Sequence, residues 1–186
     1  SRLQNTSLGL TSIGFTASDA GAFRIADDFT VPAGGWNVTT ITLYGYQTES
    51  TTTSTFDVGR IQIWNGAPNA GGAIIFGDIT TNRIASTAFS TIYRDTETTI
   101  ANATRPIMSV DVTINQALPA GTYWIDYQLG GTLASGPFTP PVTILGQTGK
   151  PGANALQWSG TAWVAIDDGL AGTQLQDVPF IVNGTA

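Results

Sequence analysis

The chain has 186 residues, of which 41% are hydrophobic, 10% aromatic and only 11% charged; it can bury a sizeable core, and this composition argues against disorder. A net charge of -6 with a single lysine, Lys150, offers no basic stripe to neutralise phosphates, so nucleic acid is not an expected partner. Histidine and cysteine are both absent, which removes Ser-His triads, disulfide frameworks and the usual zinc and copper sites.

Period-two alternation runs from end to end, and no window of a dozen residues keeps a helical apolar stripe. In the first twenty residues Leu8 and Leu10, then Ile13, Phe15 and Ala17, alternate on either side of Thr11-Ser12, a phase change that a β-bulge would produce. Two readings follow for this separable segment, 1–20. It is the first strand of its own sandwich, or it completes the sheet edge of a neighbouring copy, with Leu8, Leu10, Ile13 and Phe15 as self-association anchors. Strands are then predicted at Phe23–Val31, Trp36–Gln47, Phe56–Trp64, Ala73–Gly77, Ile84–Arg94, Ile107–Ile114 and Thr122–Leu129. Further ones are expected at Val142–Leu145, Ala155–Trp158, Trp163–Ile166 and Val178–Val182, with Thr48–Thr55 a polar loop tip.

This spacing predicts one all-β domain over residues 1–186, a two-sheet antiparallel β-sandwich of jelly-roll type. Phe29, Trp36, Ile61, Ile63, Val110, Val112, Tyr123, Ile125 and Phe180 are its expected core. No apolar run approaches the roughly 20 residues of a membrane span. The 29 threonines wet the solvent faces without charge, as on extracellular β proteins, and Ser1 is the start expected of a mature exported chain.

For chemistry the chain has carboxylates, aromatics and amides. Scattered acids supply pairs by chance, so an enzyme is not expected. Asp27-Asp28 and Asp167-Asp168, each beside a turn or bend, are candidate calcium ligands, calcium being the only metal the composition favours, though it is not required. The alternative for the first is a carboxylate capping backbone amides where a strand bends, and for the second a plain hairpin turn. Trp124 shares a strand face with Asp126 and Gln128, a mixed aromatic and polar set suited to glycan binding, against which stands ordinary packing. Trp158 and Trp163 flank a tight connection and are expected cross-strand partners. Asn5, Asn37, Asn102 and Asn183 each begin an N-glycosylation sequon.

The strings IADDFTVPAGGWNVTTITLYGYQT, GTYWIDYQLGGTLASGPFTPPVT and GQTGKPGANALQW resemble a group of bacterial exported proteins, jelly-roll-like β-sandwiches that often end in a sorting or anchoring tail. The resemblance implies an extracellular or cell-surface location and assigns no binding residue. The leading expectation is a non-enzymatic structural subunit of a fibre or surface assembly that polymerises with copies of itself by N-terminal strand donation. The alternative is a carbohydrate-binding or adhesive module whose partners are glycans.

Overall fold

Alternating side chains dictate where strands form, because successive residues of a strand point to opposite faces. The computed structural model describes residues 3–169 and 174–186. In chain order the strands are β1 (Leu3–Gln4), β2 (Phe15–Thr16), β3 (Arg24–Val31), β4 (Trp36–Gly45), β5 (Phe56–Trp64), β6 (Ile74–Asp78) and β7 (Ile84–Tyr93). They continue as β8 (Asp95–Thr96), β9 (Pro106–Leu118), β10 (Gly121–Gly131), β11 (Phe138–Thr139), β12 (Leu156–Trp158), β13 (Trp163–Ala165) and β14 (Phe180–Thr185). A six-stranded sheet, ordered β13-β12-β3-β10-β5-β6, lies against a four-stranded sheet, β14-β4-β9-β7, and both are antiparallel. The expected two-sheet sandwich is therefore what the chain forms; jelly-roll type goes no further than the sequence expectation. Among the described residues no helix is long and apolar enough to cross a membrane.

The core lies between the sheets. The six-stranded sheet contributes Ile25, Ile61, Ile63, Tyr123, Ile125, Tyr127 and Leu129, and the four-stranded sheet faces them with Val38, Ile41, Leu43, Met108, Val110 and Val112. A register shift between Val38 and Thr40 changes the phase of β4, so that Val38, Ile41 and Leu43 all point inward despite their uneven spacing. Gly59 sits at a close approach of the two sheets: a Cβ there would lie 2.9 Å from Ile84 Cγ1 and 3.0 Å from Val112 Cγ1. Of the expected core, Ile61, Ile63, Val110, Val112, Tyr123 and Ile125 are buried, whereas Phe29, Trp36 and Phe180 are partly buried and pack at the core's aromatic end.

Two expectations are corrected. Val142–Leu145 is not a strand: Val142 N–H bonds Asp177 O, and Ile144 O accepts Gln147 N–H and the Asn5 amide, so these groups are spent outside any ladder. The N-terminal segment is neither a continuous strand nor free. β1 pairs in parallel with β8, a 3-10 turn spans Thr6–Leu8, and β2 pairs with β11. In place of a bulge, the Asp168 carboxylate accepts the amides of Thr11 and Ser12, both at 2.8 Å. Asn5 donates to Ile144 O and Gln147 O, Glu97 accepts Ser7 N–H, and the buried Arg94 guanidinium donates to Ile13 O. Leu10 is 3% exposed and Phe15 packs on the main core, whereas Leu8 is 39% exposed. Of the four anchors expected to serve a neighbour, Leu10 and Phe15 are thus packed within the chain, whereas Ile13 is half-buried and Leu8 exposed. Ser1 and Arg2 lie outside the described residues.

Candidate functional site: the outer face of the six-stranded sheet

The face of the six-stranded sheet that points away from the core is where four of the five tryptophans collect. Register places them. Along one row Asp28, Trp124, Trp64 and Ile74 are neighbours on β3, β10, β5 and β6. The next row runs Ala165, Leu156, Ala26, Asp126 and Gln62 across β13, β12, β3, β10 and β5. A third row begins Trp163, Trp158, Arg24, and Gln128 and Arg60 oppose each other on β10 and β5. Cross-strand neighbours on one face lie within side-chain reach of each other.

A small second core forms here from Ala26, Trp124 and Leu156, with Trp64, Ala67 and Trp163 packed against it. The phase expected for Trp124, Asp126 and Gln128 holds, since all three share this face. Their exposure is lower than a sugar platform needs: 7%, 1% and 5%. They form the floor of the face. The partly exposed rings are Trp64, Trp158 and Trp163.

Polar groups organise the floor. Arg24 Nε lies 3.2 Å from Asp126 Oδ1, at ion-pair distance but without hydrogen-bond alignment, and Trp64 Nε1–H donates to Asp126 Oδ2 at 3.3 Å. The guanidinium carbon of Arg24 sits 5.2 Å from the Trp158 ring and 5.1 Å from that of Trp163, within cation-π range of both. The two indoles are themselves 5.6 Å apart, as expected of cross-strand partners. Burial pushes the Asp126 carboxyl up to about 7, opposed by the nearby Arg24 charge and the Trp64 hydrogen bond. Asp27 is raised to a similar value, first by burial and further by the Asp177 and Asp28 charges, while amides of Val178 and Asp28 hold it down. These two carboxyls sit on adjacent strands and face opposite sides of the sheet, so they cannot flank one scissile bond.

The remaining candidates are dispersed. Asp27 and Asp28 are consecutive in β3 and therefore point to opposite faces: Asp27 accepts backbone amides in the interior, as its alternative reading has it, and Asp28 stands beside Trp124. Asp168 is buried and caps the N-terminal segment, whereas exposed Asp167 accepts Gln174 N–H. Asp27 and Asp28 therefore do not converge on one point, and no group of three or more Asp or Glu side chains is gathered among the described residues. Of the sequons, Asn5 is buried with two backbone acceptors on its amide nitrogen, so its nitrogen is closed to modification. Asn37 is exposed, Asn102 Oδ1 accepts Thr104 N–H and hydroxyl, and Asn183 donates to Thr42 Oγ1.

Arg24 and Trp64 were missed as members of the face. The signal was available, because Arg24, Ala26 and Asp28 share a phase on β3, as do Arg60, Gln62 and Trp64 on β5. What was not available was the pairing that sets those strands either side of β10. No family model, curated protein or solved structure matches this chain.

Proposed function

We propose that this protein is a non-enzymatic, extracellular carbohydrate-binding module that uses the outer face of its six-stranded sheet. The observation that carries the reading is the gathering of Trp64, Trp124, Trp158 and Trp163 on that one face, around the Arg24–Asp126 pair. Partly exposed indoles offer flat, weakly polar surfaces to the C–H faces of pyranose rings, and the buried polar floor fixes those indoles in place. The opposed orientation of Asp27 and Asp126 favours binding without catalysis. The Thr-rich, cysteine-free composition favours an exported protein. Affinity electrophoresis against a panel of neutral and anionic polysaccharides tests the reading. Wild type should be retarded by at least one of them, and Trp64→Ala should migrate freely; a wild type retarded by none contradicts it.

A second reading, a subunit of a fibre or surface assembly, draws on a different feature. β6 is an edge strand carrying Ile74 and Ile75, 46% and 40% exposed, with no lysine to blunt it. Electron microscopy and light scattering of concentrated protein test this reading. Filaments or sheets would favour it, and single particles would dismiss it.

A further inference from the structure

The partly exposed rings of the aromatic face stand at two separated places. Trp158 and Trp163 belong to the β12–β13 hairpin at one margin of the sheet, and Trp64 belongs to β5 near the other. From β12 to β5 the sheet order crosses β3 and β10, three strand spacings or about 14 Å, and Trp158 stands in the row of Arg24 whereas Trp64 stands in the row of Asp28, four residues or about 13 Å further along β3. The two backbone positions are thus about 19 Å apart on a diagonal, wider than one pyranose ring, so a ligand touching both places has several sugar units and runs obliquely over the strands.

Charge restricts the ligand further. Both arginines on the face are matched by carboxylates: Arg24 with Asp126 at 3.2 Å, and Arg60 with Asp19 at 3.6 Å. Asp28 adds a carboxylate beside Trp124, and the whole chain carries -6. Above pH 7, where Asp126 is ionised, an anionic glycan would approach like charge with no unmatched cation among the described residues of the face to receive it. Indole faces carry negative quadrupole charge and favour the positive edges of C–H bonds, which a pyranose presents as an unbroken face when its hydroxyls are equatorial.

Resting on the carbohydrate-binding reading, we propose that this face takes the interior of a neutral, β-linked pyranose chain with equatorial hydroxyls, bridging Trp158 and Trp163 to Trp64. Isothermal titration calorimetry with glucose and with cello-oligosaccharides of increasing length tests it, alongside an anionic oligogalacturonate series. Affinity should rise at least about tenfold from the disaccharide to the hexasaccharide. Trp64→Ala and Trp158→Ala should each abolish that rise, with near-ultraviolet dichroism confirming the fold; Trp163→Ala replaces Trp158→Ala if the latter does not fold. Preference for oligogalacturonate, or hexasaccharide binding no tighter than glucose, overturns this inference and leaves the broader reading standing. A wild type that binds no glycan of any class overturns both.

Discussion

Replacing Arg24 with Ala would remove two things at once, and pH separates them. The guanidinium lies 5.2 and 5.1 Å from the Trp158 and Trp163 rings, and such contacts contribute about 0.5 to 2 kcal/mol each depending on desolvation. It is also the counter-charge to Asp126, whose side chain is fully buried, and removing one partner of a buried pair costs about 3 to 5 kcal/mol when the other stays charged. Asp126 titrates near 7, so at pH 5 it can remain protonated and only the ring contacts are lost. At pH 8 the wild-type carboxylate is ionised and stabilised by Arg24, a benefit the variant lacks. Urea unfolding of both proteins should therefore give a loss of about 1 to 3 kcal/mol at pH 5, larger at pH 8 by at most about 1.4 kcal/mol, because a variant carboxyl left without Arg24 can re-protonate at that cost. A loss equal at the two pH values would refute the electrostatic part of this reasoning. A loss below about 0.5 kcal/mol at both would refute the ring contacts as well.

Ile125→Ala, at a fully buried core position, should cost about 2 to 5 kcal/mol by chemical denaturation; a cost under about 1 kcal/mol would mean the inner face is misplaced. Deleting residues 1–17 should lower the melting temperature of a monomer, because Asp168, Glu97 and Arg94 lose their bonded partners. A dimer or fibre that turns monomeric at unchanged melting temperature would instead restore strand donation. Asp27 has a folded-state pKa raised from 3.8 to about 7, so its contribution is fully present below about pH 4 and is lost as pH rises through 7. Asp27→Asn should flatten the decline in stability over that window, and an unchanged slope would contradict it.

Strand positions were legible because burial on one face enforces alternation: Phe56–Trp64 was placed to the residue, and β3, β4 and β10 to within two or three. Alternation also set Trp124, Asp126 and Gln128 on one face. It carries no information about what covers a face, and Ala67, Trp64 and Trp163 arrive on other segments. The N-terminal segment misled for a related reason. Its apolar spacing is strand-like, yet its path is fixed by the distant carboxylates Glu97 and Asp168 and the guanidinium of Arg94, which no local pattern announces. Asp27 and Asp28 part because adjacent residues of a strand point to opposite faces, which sequence adjacency alone conceals.

The central claim, that the outer face of the six-stranded sheet is the binding surface, is tested most directly by nuclear magnetic resonance of the indole N–H groups during titration with a retarding polysaccharide's oligosaccharides. Trp36, which packs at the core's aromatic end against Phe29, serves as the internal control. The account predicts that the Trp64, Trp158 and Trp163 signals shift together with a common affinity while Trp36 stays fixed. Saturable binding that leaves all three unmoved would contradict it.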